Sequence, residues 1–313
     1  MVLRFTGSEM KGEWNIMNKI LFFRLCVVII LLVSGVKGAT ADAIDEISAK
    51  IEPNRKVTYK TVGDRELQLH VFEPDNLKPT DRRPCFITIH GGGWTGGTPR
   101  RQYPFAKHYA ELGLVSISIE YRLVKAGSTV FDCVKDGRSA VRYIRAHASE
   151  FGLDPQKIVV NGGSAGGHVA AGTALFEGID EAGEDVSVSS VPNAMVLYFP
   201  VIDTSVDGYG NSKIGERWKE ISPLHRLTKV VPPTIIFHGT GDVTTPFKGA
   251  KAFQEAMLKS GNRCELDIAE GAVHGYLMRK HELINETLLK TDAFLISLGF
   301  LPKAKSLLME GSK

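Results

Sequence analysis

Residues 158–168 read Ile-Val-Val-Asn-Gly-Gly-Ser-Ala-Gly-Gly-His, a pattern that predicts a strand running through a glycine turn into a helix. Gly162 and Gly166 stand at −2 and +2 from Ser164. Glycine at these flanks removes side-chain clashes in a sharp turn and lets Ser164 point outward in a strained conformation. A phosphate-binding loop is the weaker alternative, because it would need Gly-Lys-Ser/Thr where Gly167-His168 stand. We therefore interpret the stretch as a nucleophile elbow.

The rest of the chain alternates between short β-branched or apolar runs and helix-like stretches. The strand-like runs are Cys85–Ile89, Val115–Ile119, Ile158–Val160, Ala194–Phe199, Thr234–Phe237 and Glu265–Ile268, preceded by a hairpin of Lys56–Thr61 and Glu66–Phe72. The helical patterns lie near 101–112, 132–151, 165–176, 246–260 and 281–298. This alternation predicts an α/β domain with a mostly parallel central sheet and helices on both faces. We predict one such domain over residues 42–313.

Three consecutive glycines follow another predicted strand, in the sequence His-Gly-Gly-Gly-Trp at residues 90–94. Glycines leave backbone N–H groups able to approach a ligand closely. The amides of Gly91 and Gly92, together with that of Ala165, are therefore candidates to stabilise a developing oxyanion. A flexible turn is the alternative interpretation.

An acid and a base follow later predicted strands, with Asp242 in the loop after residue 237 and His274 in the loop after residue 268. A serine hydroxyl needs a base to become a nucleophile, and the base needs a carboxylate to hold its tautomer. Ligands of open α/β sheets bind beyond the carboxyl ends of the strands, where all three loops would meet. We predict that Ser164, Asp242 and His274 form a catalytic triad. Asp203 is the rival acid, while His168 is expected to pack beneath the elbow.

The segment from Asp203 to Leu227, between two predicted strands, is a candidate for a small lid. It contains Tyr209, Trp218 and several charges, and a short polar cover suits a bulky polar leaving group. An ordinary surface loop remains an equal interpretation. Gly93 and Trp94 are candidates for substrate contact, with packing in the core as the alternative for Trp94.

The first residues have the organisation of an export signal. Lys19 and Arg24 precede the apolar run Leu25–Val33, and small residues follow it. We predict a signal peptide over residues 1–41 and a secreted or periplasmic protein. An uncleaved anchor is less favoured, because the run is short against the about 20 residues that span a bilayer.

Charge and cysteine content exclude several classes of partner. Residues 1–41 hold five Lys/Arg and two Asp/Glu, which accounts for the whole formal charge of +3, so the mature chain is formally neutral. A neutral chain without a basic cluster argues against nucleic acid as a partner. We expect no stable membrane insertion of the mature chain, no metal and no cofactor.

Export would leave Cys85, Cys133 and Cys264, an odd number, and the first and last of these lie in strand-like runs that predict burial.

The combination of residues 90–94, the Ser-Ala-Gly-Gly-His extension at 164–168, Asp242 and His274 resembles the α/β-hydrolase superfamily. It is most similar to esterases of the feruloyl/acetyl-xylan-esterase-like and hormone-sensitive-lipase-like groups, over roughly residues 57–298. Further similar segments are Glu120–Leu123, Asp136 with Arg142–Ile144, and Gly152–Pro155. The resemblance implies hydrolysis of carboxylic esters, with Ser164 as nucleophile, His274 as base and Asp242 as orienting acid.

One departure from the resemblance bears on the substrate. Enzymes like hormone-sensitive lipase usually carry an N-terminal helical cap, whereas few mature residues precede the hairpin here. This difference favours short-chain acyl esters of carbohydrates, acetyl or feruloyl, with a small-molecule or carbohydrate ester as the partner. An amide-cleaving enzyme of the same fold, such as an arylformamidase or exopeptidase, is one alternative. A non-catalytic binding module is the other.

Overall fold

The computed structural model describes residues 42–125 and 127–302. The leader predicted for residues 1–41 lies outside the described residues. Within the described chain, one mixed sheet has the strand order β1-β2-β4-β3-β5-β6-β7-β8. Its strands are β1 Arg55–Val62, β2 Arg65–Phe72, β3 Arg83–Ile89, β4 Val115–Ile119, β5 Leu153–Gly163, β6 Ala194–Tyr198, β7 Thr234–Gly239 and β8 Cys264–Ala269.

The first two strands form the predicted hairpin, and β2 then pairs antiparallel with β4. From β4 onward every described pairing is parallel. The residues after β3, β5, β7 and β8 therefore emerge at one edge of the sheet, which is the edge where ligands bind in open α/β sheets.

Helices cover both faces of this sheet, as predicted. They are α1 Ala43–Ser48, α2 Tyr103–Glu111, α3 Val130–Ala146, α4 Ala165–Leu175, α5 Asn211–Ile214, α6 Phe247–Lys259 and α7 His281–Ser297. Alternating side chains of the buried strands contribute to two separate apolar clusters. In β5, for example, Ile158 and Val160 join one cluster with residues of α3, α4 and α6, whereas Val159 joins the other with residues of α2 and α7.

The length and hydropathy of the described helices bear on whether any of them could span a membrane. None of these helices is long and apolar enough to cross a membrane.

Cys85, Cys133 and Cys264 are all buried and unbridged, which confirms the burial predicted for the first and last of them. Burial raises the pKa of the Cys264 thiol to about 12, so this thiol stays protonated.

Candidate active site

Ser164 occupies the junction between β5 and α4 with φ of 55° and ψ of −122°. A positive φ is strained for any residue other than glycine, and such strain is concentrated at functional sites. The two flanking glycines are required by close backbone contacts. A Cβ on Gly162 would lie 2.3 Å from the carbonyl oxygen of Gly166, and one on Gly166 would lie 2.2 Å from that of Ile89. The local sequence therefore forces the serine outward.

The structure brings the three predicted triad residues into one hydrogen-bonded chain. Nε2 of His274 lies 2.9 Å from Oγ of Ser164, and its Nδ1 lies 2.7 Å from Oδ2 of Asp242. His274 is contributed by the loop after β8 and Asp242 by the loop after β7. An imidazole in this position can accept the serine proton while the carboxylate holds its other nitrogen protonated.

The Asp242 carboxylate is held by several donors besides His274. Its Oδ1 accepts from the backbone N–H groups of Thr244 and Thr245, each at 2.9 Å, and its Oδ2 accepts from the Thr245 hydroxyl at 2.9 Å. Burial alone would raise the pKa of Asp242, but the hydrogen bonds from His274 and Thr245 outweigh it and lower that pKa. The acid is therefore ionised when His274 becomes protonated.

A second histidine, His238, lies beneath the acid at the end of β7. Its Nε2 is 2.7 Å from the carbonyl oxygen of Thr245 and 3.5 Å from Oδ2 of Asp242. Burial lowers the pKa of His238, so this ring stays neutral beside the carboxylate. It supports the loop of Asp242 through Thr245, a residue that the sequence analysis did not single out.

The glycine loop after β3 lies directly against the serine. A Cβ on Gly91 would come within 2.8 Å of the Gly163 carbonyl oxygen and 3.3 Å of the Ser164 Cβ, and Gly92 has φ of 116°. Tyr121 fixes the base of this loop by donating to the carbonyl oxygen of His90 at 2.9 Å.

Gly91 and Gly92, whose backbone amides we predict for the oxyanion hole, line the same cleft as Ser164, and Ala165, the third predicted donor, follows that serine in the chain. The hydrogen bonds described for residues 42–125 and 127–302 include none from the N–H groups of Gly92 or Ala165, so both donors remain available to a ligand. Donors of this kind stabilise the charge that develops on a carbonyl oxygen during acyl transfer.

A cleft of about 570 Å³ opens above the serine. Besides Ser164 and His274, the lining comes from the glycine loop, the residue before α1, the segment before α2, the residue after β6, the lid segment and the segment before α7. It includes Asp42, His90, Gly91, Gly92, Gly93, Gly97, Arg101, Gln102, Phe199, Tyr209 and Met278. The predicted lid segment folds into α5 and two short 3₁₀ helices, Glu216–Ile221 and Pro223–His225. Through Tyr209 it contributes directly to the cleft wall. Gly93 also lines the cleft, and its contact with substrate remains a prediction.

Trp94 corrects the prediction of a substrate contact. Its side chain is 0% exposed and does not line the cleft, because it packs against the rings of His168 and Tyr209 at centroid distances of 5.1 and 5.5 Å. Gly210 makes room for it, since a Cβ there would lie 2.4 Å from the indole ring. The alternative of core packing therefore applies to Trp94.

The rival residues are held elsewhere by their own partners. Nε2 of His168 lies 2.6 Å from the carbonyl oxygen of Ile221, beneath the elbow as expected. Asp203 accepts a hydrogen bond from the backbone of Ser205 at 2.8 Å, and its nearest described histidine is His225 at 4.0 Å. His274 and Asp242 are thus the pair that the structure joins to the serine.

Solved structures of an esterase share this architecture. The chain is 39% identical to Thermogutta terrifontis esterase 2 phosphonylated by sarin, with a TM-score of 0.76 over 79% of this chain and 96% of that one. It is 40% identical to the propionate-bound form of Est2 from the same organism, with a TM-score of 0.76 over 80% and 96% of the two chains. Fold and site thus define an α/β-hydrolase of the serine esterase class.

Sequence comparisons lead to the same class and to a family. The chain is 30% identical to the probable carboxylic ester hydrolase LipM of Mycobacterium tuberculosis, over 64% of this chain and 51% of that protein. It is 28% identical to esterase LipQ of the same organism, over 64% and 51% of the two. It spans about half the length of these relatives. The BD-FAE family model matches residues 69–257, more than half of the chain, and the chain belongs to this family.

Proposed function

We propose that the protein is a carboxylesterase that hydrolyses short-chain acyl esters of carbohydrates, acetyl or feruloyl, through Ser164, His274 and Asp242. The observation that carries this proposal is the hydrogen-bonded chain from Ser164 Oγ through His274 to Asp242, placed beside the glycine loop. These are the parts that acyl transfer to a serine requires.

The reaction begins with proton transfer to the base. His274 Nε2, 2.9 Å from Ser164 Oγ, accepts the hydroxyl proton as Oγ attacks the ester carbonyl carbon. The N–H groups of Gly91, Gly92 and Ala165 stabilise the negative charge on the carbonyl oxygen. The C–O bond to the alcohol then breaks, and the alcohol leaves with the proton from His274.

Water completes the cycle through the same groups. His274 removes a proton from a water molecule, and the resulting hydroxide attacks the acyl-serine. The bond to Ser164 Oγ breaks, the serine regains its proton from His274, and a carboxylic acid is released. Asp242 stays ionised throughout, because its hydrogen-bond donors keep its pKa low.

The proposed substrate class is supported by the family to which the chain belongs and by the residues that line the cleft. The family name denotes feruloyl and acetyl-xylan esterases, and the related Est2 has been described in propionate-bound and butyrate-bound forms. The cleft is lined by the charged side chains of Asp42 and Arg101 and also by the apolar side chains of Phe199 and Met278. Hydroxyl-rich alcohols can hydrogen-bond to the charged groups, and a short acyl or aromatic group can pack against the apolar ones.

The first test replaces the nucleophile. Ser164→Ala should lower kcat/KM toward 4-nitrophenyl acetate by roughly four to six orders of magnitude and abolish labelling by a fluorophosphonate. Ser187→Ala, at an exposed serine, is the matched control and should keep wild-type turnover and labelling. Unchanged labelling of the Ser164→Ala variant would refute the assignment.

A substrate panel separates esters from amides. Acetylated xylan, feruloyl esters and formyl amides should be compared at equal enzyme concentration, with acetate, propionate and butyrate esters as an acyl-length series. We expect acetyl or feruloyl carbohydrate esters to be hydrolysed fastest. Faster turnover of the formyl amides would favour the amide-cleaving alternative.

We also propose that residues 1–41 direct export, on the basis of their charged start, apolar run and small residues. Expression of the full chain followed by N-terminal sequencing of the exported protein should return a start at Asp42. Recovery of the intact leader on the exported protein would contradict this.

A further inference from the structure

Lys213, in the short helix α5 of the lid segment, reaches back to the rim of the cleft. Its ammonium nitrogen donates to the carbonyl oxygen of Gly93 at 3.3 Å and to the hydroxyl of Tyr209 at 3.0 Å. Both of these partners line the cleft. The ammonium also lies 5.0 Å from the centroid of the Tyr209 ring. The charge is thus held at a defined place beside the glycine loop, although the side chain is exposed.

The charge on Lys213 is not neutralised by a neighbouring carboxylate. Among residues 42–125 and 127–302, no carboxylate oxygen pairs with its nitrogen within 4.0 Å, and its described acceptors are neutral. Arg101, which lines the cleft, differs because it pairs with Asp42 at 2.9 Å and with Asp45 at 2.7 Å. An ammonium has three donors, so one remains for a ligand after these two hydrogen bonds.

A second cation without a described carboxylate partner, Arg279, contacts the backbone of the catalytic histidine. Nη2 of Arg279 donates to the backbone carbonyl oxygen of His274 at 3.1 Å, and within the described chain no carboxylate pairs with it either. Lys213 and Arg279 thus place positive charge at the glycine loop and at the catalytic histidine of a formally neutral mature chain. Unpaired positive charge beside a cleft concentrates ligands of the opposite sign.

We propose that Lys213, assisted by Arg279, forms an anion subsite that selects ester substrates with a carboxylate in the alcohol part. This inference rests on the proposed function. Acetyl and feruloyl groups carry no second carboxylate, so the anionic group must belong to the alcohol. The corresponding natural class is acylated oligosaccharides that contain a uronic acid.

The test compares two acetate esters that differ in one charge, 4-acetoxybenzoate and its methyl ester. The measured quantity is the ratio of their kcat/KM values, in wild type and in variants. The intrinsic reactivities of the two leaving phenols cancel when ratios are compared between variants. Lys213→Gln should lower the carboxylate-to-methyl-ester ratio roughly two- to fivefold, the range expected for a solvent-exposed ion pair. Lys213→Glu should lower it further.

Lys219→Gln is the matched control, because Lys219 is an exposed lysine of the same lid segment whose described ring contact is to Trp218 at 5.5 Å. Its ratio should equal that of wild type. Raising the salt concentration should lower the carboxylate-to-methyl-ester ratio more for wild type than for Lys213→Gln. Salt screens the attraction between the Lys213 ammonium and the substrate carboxylate, which the variant lacks. Thermal melts of all variants check that each one is folded.

Two outcomes would overturn the inference and are distinguishable. If the wild type and Lys213→Gln give the same ratio, with both esters hydrolysed, there is no anion subsite and the proposed esterase function stands. If neither ester nor 4-nitrophenyl acetate is hydrolysed by folded wild-type protein, the proposed function fails and the subsite with it.

Discussion

The hydroxyl of Thr245 lies 3.1 Å from Nδ1 of His274, and the same oxygen is 2.9 Å from Oδ2 of Asp242. One side chain therefore touches both the base and the acid. Thr245 is buried, and its hydroxyl also lies 3.2 Å from the carbonyl oxygen of Phe199. This arrangement makes Thr245 a positioning residue, because it acts on the reaction through the two side chains that it contacts.

Thr245→Val replaces the hydroxyl with a methyl group of similar size and removes one donor from the Asp242 carboxylate. A hydrogen bond to a charged group contributes about 1.5–3 kcal/mol, so we expect kcat/KM toward 4-nitrophenyl acetate to fall about tenfold or more. Thr245→Ser keeps the hydroxyl and should restore most of the activity. Equal activity of the Val and Ser variants, at equal melting temperature, would contradict the positioning role.

Asp242→Asn preserves the shape of the acid but removes its charge. The imidazole then loses the partner that holds its tautomer, and we expect kcat to fall by roughly 10⁴-fold. Asp203→Asn is the control at the rival acid and should keep most of the wild-type turnover. A larger loss from the Asp203 variant than from the Asp242 variant would reverse the assignment of the acid.

Gly92→Ala tests the glycine loop. A Cβ at this position would lie 2.3 Å from the carbonyl oxygen of Gly96, and φ is 116°, so the loop must shift and its N–H groups with it. Loss of one oxyanion donor should lower kcat by about 10²–10³-fold. Gly63→Ala, in the β1–β2 turn with φ of 57° and open space around it, carries similar backbone strain away from the cleft. Comparable losses in the two variants would argue for a general folding defect.

Two buried histidines predict a loss of stability in mild acid. Burial lowers the pKa of His168 and of His90 to about 4, from an ordinary value of 6.5. As the pH falls through this interval, the unfolded chain binds protons that the native chain does not, so stability present above 6.5 is progressively lost. Each histidine should then reduce the free energy of unfolding by about 2 kcal/mol between about pH 7 and pH 5.

Urea unfolding at these two pH values measures this effect. His168→Gln keeps a donor for the carbonyl oxygen of Ile221 but cannot titrate, so the contribution of about 2 kcal/mol from His168 should disappear. A pH dependence identical to that of wild type would show that His168 does not contribute to the loss of stability.

Much of the fold follows from local patterns. Short β-branched runs alternate with longer helical ones, and the hairpin, the buried strands and the long helices lie where these patterns predict them. The turn around Ser164 is equally local, because the clashes that demand Gly162 and Gly166 involve backbone atoms only a few residues away or on the adjacent strand β3. Chain order and the shared edge of a parallel sheet then predict that Asp242 and His274 come near Ser164.

Other features depend on which loops pack against each other, and sequence patterns do not encode that. Trp94 was a candidate for substrate contact, but the lid segment brings Gly210 against its ring and closes it off from the cleft. The same packing places Lys213 beside Gly93, 120 residues away in the chain. Hydrophobic periodicity and glycine spacing are properties of neighbouring residues. The sequence was therefore sufficient to predict the helices, the strands and the turn at Ser164. Long-range contacts depend on how separate loops fill the space above the sheet, so only the folded chain settled the surroundings of Trp94, Thr245 and Lys213.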